Sequence, residues 1–404
     1  MSVRFFYFIL VALPLTVAAC AGMSLHKDAQ SEFEPEPGPK ETALPADPPG
    51  EVPFPEKEPT KESPHDITVR PGDDLPAIFR GLTREGKVQR IRFTPGTYTV
   101  RDTLHLPRTG SLVIIDGQGA VIRASGGIPV FYSLPANQEE AMVYNKTRYL
   151  IENFGRIEGG GKGIFIGSSF NTVIRNIEFV SQREAAVDLV FCLMTSLEHI
   201  LVTNPFHDGF VLRSGVNSDT RENAWPGTSY NNSQCNHSVL RSCRVYNRKG
   251  TEGTSFKVLQ STGVRLVDCI SEGWVNARAV FFDADRCTTA KFFAIENFHL
   301  EHAPYEGGLV FRSFGSTVEV DGLFTQIASK ESPTIWLMNN GNYVFKNIPW
   351  WPEGAWVNSS HSPSVVIQHC TNRFYRIADL WRNGERPGQP IFREYFRTSA
   401  DLVR

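Results

Sequence analysis

The segment Asp208-Gly-Phe-Val-Leu-Arg-Ser214 returns along the chain in varied form. Short apolar runs of the same kind stand at Ala185–Val190, Thr254–Gln260, Arg278–Ala284, Gly308–Ser313, Pro333–Met338 and Ala355–Ser360. Each is followed by a turn and a second run, as at Leu197–Asn204, Leu240–Asn247 and Gly263–Ile270. Leu240 and Leu266 occupy equivalent places 26 residues apart, and the same step carries Leu266 to Phe292. A self-similar period in the twenties, with strand patterns and no helical pattern, predicts a parallel β-solenoid. The 28 Phe residues suit such a stack, because planar rings can lie one above another.

The chain has 404 residues and a formal net charge of −2, from 41 Lys+Arg against 43 Asp+Glu. That balance argues against a nucleic-acid partner, which would call for a basic stripe. Residues 1–19 carry Arg4 and then the apolar run Phe5–Ala19, which reads as a secretory signal rather than a membrane span. Residues 20–65 are rich in Pro and Glu, as in Glu34-Pro-Glu-Pro-Gly-Pro39, and cannot bury a core. They are expected to form a disordered tether. A capping helix is expected within Arg70–Leu82, with Asp73 or Asp74 at its N-cap and Pro76 in its first turn. The solenoid is expected over 66–372, with a C-terminal cap or loose tail over 373–404, where Arg376–Trp381 has a helical pattern.

Two stretches resemble known families. Val17-Ala-Ala-Cys20 resembles the bacterial lipoprotein box. That resemblance implies cleavage before Cys20, lipidation of its thiol, and a lipid-anchored place in the cell envelope; Ala21 and Gly22 would favour the outer membrane. Ile91-Arg-Phe-Thr-Pro-Gly-Thr-Tyr-Thr-Val100, followed by Asp116-Gly-Gln-Gly-Ala-Val-Ile122, resembles the opening rungs of the pectate-lyase-like superfamily. The fold this implies is all-β, a right-handed parallel β-helix with an N-terminal capping helix. The superfamily holds lyases, hydrolases, epimerases and non-catalytic adhesins, so the fold alone selects no activity. Its polygalacturonases carry an Asp-Asp pair and a Gly-His-Gly on the recurrent strands. Here the only Asp-Asp is Asp73-Asp74, outside those strands.

Alternate residues of a strand face opposite ways. Setting the recurrent strands in register by their apolar residues sends Asp188, Val211, Lys257, Phe281, Val310 and Trp336 outward in one column. A second column holds Val190, Arg213, Leu259, Asp283, Arg312 and Met338. Such a mixed surface suits a sugar chain, with rings stacking on aromatics and Lys or Arg pairing with uronate or sulfate groups. Arg213, Lys257, Asp283 and Arg312 are the candidate catalytic residues for β-elimination from an acidic polysaccharide, the three cations as uronate neutraliser and base and Asp283 orienting one of them. Asp188, Asp208, Trp225 and Trp336 are candidate substrate contacts. The plainer readings stand beside these: Asp283 and Arg312 as a surface ion pair, Trp336 as packing, Asp208-Gly209 as a turn. Hydrolysis needs two carboxylates within about 10 Å. Asp188 and Asp283 are expected three rungs, about 14 Å, apart. No ligand cluster marks a calcium site, although Ca²⁺ serves some lyases, and no Cys or His spacing marks a zinc site.

The step from Leu197 to Leu240 is 43 residues, and its excess, between Ser214 and Asn236, is expected to form a flap beside the recurrent strands. Cys243 and Cys269 fall at equivalent positions and are expected as buried thiols rather than a bridge. The alternative to an enzyme is a non-catalytic β-helix that binds a glycan or a surface protein. Nothing in the sequence sets the oligomeric state.

Overall fold

The computed structural model describes residues 66–82, 89–275, 278–301, 308–326, 334–349, 355–358, 363–370, 381–384 and 391–395. The signal segment, Cys20 and the tether lie outside the described residues. So do Arg376–Leu380 of the expected C-terminal helix. Two sheets, one of 11 strands and one of 18, coil around a single core, and every strand pair is parallel. The chain is a parallel β-solenoid.

The recurrent strands form the 11-stranded sheet, the front sheet. Its core comes from two inward columns. Phe131, Ile164, Val187, Phe210, Phe256, Val280, Leu309 and Ile335 stand in register in one, and Ser133, Ile166, Leu189, Leu212, Val258, Phe282, Phe311 and Leu337 in the other. Phe256 lies face to face on Phe210, with centroids 5.3 Å apart at 12°, and meets Phe298 of the opposite wall edge-on. Phe282 stacks in the same way on Phe293. The rings therefore fill the coil along its axis and across it.

The other sheet turns a corner at one place in nine successive rungs. Asn153, Asn176, His199, Ser242, Asp268, Asn297, Gly322, Asn347 and His369 all have positive φ there. Strand register stacks each of them on the next. Gly has no steric objection to this conformation, and Asn, Asp and His tolerate it better than most residues. Side chains tie the corner together, with the Asn176 amide donating to Asn153 at 3.0 Å and the Asn297 amide to Asp268 at 3.2 Å.

Helix Leu75–Arg80 begins at Asp74, whose carboxylate accepts from the Ala77 amide at 3.0 Å. It buries Leu75 and Phe79, and Phe79 meets Phe131 of the front sheet. Two expectations need correction. Leu266 pairs with Ile295, not Phe292, because the Ala284–Lys291 turn is longer than its neighbours; that step is 29 residues. Two further strands, Trp381–Gly384 and Ile391–Tyr395, continue the two sheets beyond residue 372. Cys243 and Cys269 are buried, free thiols.

Phe256→Ala deletes a ring packed against two walls. The expected loss is about 3–5 kcal/mol, read as a lowered denaturant midpoint; an unmoved midpoint contradicts the stacked core.

Candidate functional site

The outward columns fall where the alternation sends them. Tyr132, Phe165, Asp188, Val211, Lys257, Phe281, Val310 and Trp336 share one column, and Gly167, Val190, Arg213, Leu259, Asp283 and Arg312 share another. A third, at the start of the strands, holds Lys162, Ala185 and Asp208. This face is not open to solvent, as the sequence reading supposed. Asp283 is 0% exposed and Arg213 6%, and Asp188, Asp208 and Lys257 are also buried.

The covering comes from the Gly215–Gln234 insertion and from helix Gln138–Tyr144. Ser218 donates to Asp283 at 2.7 Å, and Asp219 pairs with Lys257 at 3.3 Å. The Trp225 indole donates to Gln138 at 2.9 Å, joining loop to helix. Trp225 is 2% exposed and packs with Ala141, Phe165, Val190 and Phe191. Expected as a substrate contact, Trp225 therefore presents little surface to a ligand in this arrangement. Gly167 makes the approach possible, since a Cβ there would lie 2.9 Å from Trp225 Cζ3 and 2.3 Å from Leu134 Cδ2. Trp336 is half-buried against Leu259, Phe281 and Val310, away from the insertion.

Beneath the loop a cleft of about 370 Å³ remains, lined by Lys162, Phe165, Asp188, His207, Asp208, Arg213, Glu222 and Lys257 among others. Asp188 accepts from Arg213 through both oxygens, at 2.9 and 3.2 Å, and from Lys162 at 2.7 Å. Burial pushes the Asp188 carboxyl up, but Arg213 and Lys162 outweigh it and hold it below the ordinary value. Glu184 stands 3.7 Å from Lys162, whose ammonium lies 3.9 Å from the Phe165 ring centre.

Asp208 anchors the second cluster. It accepts from the Thr254 amide and the Lys257 ammonium, each at 2.8 Å, and from His207 Nδ1 at 3.2 Å. Burial raises its carboxyl, and Lys257 and then His207 more than reverse this. Burial lowers the Lys257 ammonium, and Asp208 and Asp219 raise it overall. The hydrogen bond to Asp208 lifts His207 above its ordinary 6.5, against some burial. His207 is the one histidine lining the cleft.

The four candidate catalytic residues thus divide. Arg213 and Lys257 line the cleft, on separate carboxylates. Asp283 and Arg312 pair with each other beyond it, in register on adjacent rungs. Asp283 is fully buried, so the pair is not the surface bridge first considered; removing Arg312 would strand a buried charge. Asp285 joins them, 3.5 Å from Arg312 Nε. Burial and then the neighbouring Asp283 push its carboxyl up to about 6. Sequence reading missed Lys162, His207, Asp219 and Asp285 as members of these clusters. The Asp283-Ala-Asp285 spacing, which returns two carboxylates to one side of a strand, was the available signal. Among the described residues no three Asp, Glu, His or Cys converge to hold a metal ion.

No family model matches the chain, and no curated protein matches it. Among solved structures, an alginate lyase from Paenibacillus sp. str. FPU-7 is similar at 9% identity and a TM-score of 0.32, over 81% of this chain and 97% of that one. The solenoid assignment rests on the strand register.

Two titrations test these clusters. By NMR the His207 ring is expected to titrate above 6.5, and Asp208→Asn to bring the midpoint down. Because the folded value is raised, this pair's contribution to stability is full below the ordinary histidine value and is lost as pH rises through the folded one. An unmoved midpoint contradicts the His207–Asp208 pair. Asp285→Asn is expected to raise the melting temperature at neutral pH, where the parent holds a charge opposed by Asp283, with the gain shrinking below pH of about 6. A gain independent of pH contradicts that opposition.

Proposed function

We propose that the protein is a carbohydrate-active β-solenoid that binds a polysaccharide segment in the cleft under the Gly215–Gln234 loop and cleaves it by β-elimination. The observation that carries this reading is His207, which lines the cleft with Nδ1 held by the buried Asp208. A histidine oriented by a carboxylate suits proton transfer near neutral pH. In its neutral form Nε2 takes the C5 proton of a uronate ring. The electron pair left behind forms the C4–C5 double bond as the bond from C4 to the bridging oxygen breaks. The imidazolium then returns its proton to that oxygen. Lys162 is the cation placed to neutralise the uronate, because its second partner, Glu184, is distant at 3.7 Å and largely exposed.

Hydrolysis would ask for a carboxylic acid that keeps its proton near neutrality. The buried cleft carboxylates Asp188 and Asp208 are both held below their ordinary value, so elimination suits the site better. A second reading, glycan binding without turnover, draws support from Lys162, Arg213 and Lys257 each being paired with a carboxylate. Both readings keep the proposal of an exported protein, lipid-anchored through Cys20 on the outer membrane and lifted from it by residues 20–65.

Incubation with a panel of polyuronates, followed at the absorbance of the unsaturated uronate product, is expected to show turnover. The rate should climb as pH rises through the His207 midpoint, and His207→Ala should slow it about 100-fold or more. Binding without new absorbance on any polymer leaves the second reading. Neither binding nor turnover overturns both.

A further inference from the structure

A second pocket, of about 300 Å³, lies on the front sheet beside the capping helix, and Leu134 lines both it and the main cleft. Its walls include Phe79 and Arg80 from the helix, Arg108 from the segment after strand Leu104–His105, and His105 and Tyr132 from the sheet. We infer that this pocket is a further subsite for the same polysaccharide, one that receives a sugar ring bearing an anionic group. The inference rests on the reading of the main cleft as a polysaccharide site.

Three observations converge on it. The first is continuity. His105, Tyr132, Phe165 and Asp188 occupy successive rungs of one outward column, so the two pockets lie along a single line of the sheet. Tyr132 and Asp188 are two rungs apart, about 10 Å. A chain of a few sugar rings covers that distance.

The second is charge. The main cleft is lined by three cations, Lys162, Arg213 and Lys257, against four carboxylates, Glu184, Asp188, Asp208 and Glu222. It has no excess positive charge to offer a polyanion. Among the described residues the second pocket is lined by Arg80 and Arg108 and by no carboxylate. Arg108 is partly spent on Glu140 of the Gln138–Tyr144 helix, while Arg80 is exposed at the end of the capping helix. In the cleft Lys162 alone is placed to meet a uronate, whereas the second pocket carries two guanidinium groups for a further anionic substituent along the chain, and a guanidinium suits a carboxylate or sulfate.

The third is the aromatic floor. His105 and Tyr132 meet edge-to-face, with centroids 5.4 Å apart, and Tyr132 meets Phe165 in the same manner at 5.5 Å. Phe165 is buried and already carries the Lys162 ammonium. Tyr132 and His105 retain exposed surface, so the rings available for stacking on a sugar lie on the helix side of the groove.

The test uses the full chain and calorimetric titration with uronate oligosaccharides from disaccharide to octasaccharide, beside a carboxyl-reduced octasaccharide. Affinity is expected to rise with length. Arg80→Ala and Tyr132→Ala should each weaken octasaccharide binding about tenfold while leaving short oligomers unchanged, and reduction of the carboxyls should mimic Arg80→Ala. Arg80 is exposed, so its variant keeps the test sound if loss of Tyr132 perturbs folding. Octasaccharide binding that ignores both substitutions but falls with Lys162→Ala overturns this subsite and spares the cleft. Equal affinity for the carboxyl-reduced oligomer overturns the anionic assignment. No binding by any oligomer overturns the cleft reading and this one with it.

Discussion

Everything at the front of this molecule depends on parallel strands stacked in register one rung apart. That arrangement forces side chains at equivalent positions to within about 5 Å of one another. Apolar positions gain from it, as the stacked Phe210 and Phe256 show. Charged positions become tolerable only when the stack alternates in sign or places an acid and a base on neighbouring rungs. The chain meets this demand with Asp188 between Lys162 and Arg213, with Lys257 between Asp208 and Asp219, and with Asp283 against Arg312. Burying such pairs costs desolvation, which good geometry and additional hydrogen bonds offset. The two bonds from Arg213 to Asp188 and the Thr254 amide on Asp208 supply them.

The insertion covers much of this charged face. Without it the ion pairs would form a solvated ladder worth little to stability. With Trp225 seated over Gly167, and Ser218 and Asp219 bonded to the sheet, much of the face is shielded and a cleft remains beneath the loop. His207 stands at the edge of that cleft, half-exposed, with its orientation set from beneath by Asp208. A rigid carboxylate below and an accessible ring above is an arrangement suited to moving a proton. The fully paired Lys257 and Arg213 are better suited to holding the site's shape.

Much of the architecture was legible because a period of two within each strand and a period in the twenties between strands leave few alternatives. Both outward columns read from Asp188 and Val190 onward agree with the observed register. The slip at Phe292 came from a turn lengthened by a few residues, which apolar spacing alone does not reveal. Partners were harder to see. The Lys257 ammonium reaches back along the strand to Asp208 and also meets Asp219 of the insertion, partners that column order alone does not give. The loop's seat depends on contacts between residues 65 and 87 positions apart, Ser218 with Asp283 and Trp225 with Gln138. No local pattern encodes those. The polar residue interrupting each second run, such as His199 or Asp268, was visible in the sequence but acquires its meaning as a corner only once its positive φ is seen.

We propose that the in-register front sheet and its covering loop together make a groove for a sugar chain. Crystallography of a His207→Ala variant soaked with a uronate octasaccharide addresses both halves at once. The account predicts sugar rings along the column from Tyr132 to Lys257, beneath the Gly215–Gln234 loop, with Lys257 still on Asp208. Sugar bound elsewhere on the solenoid, or front strands displaced from this register, would contradict it.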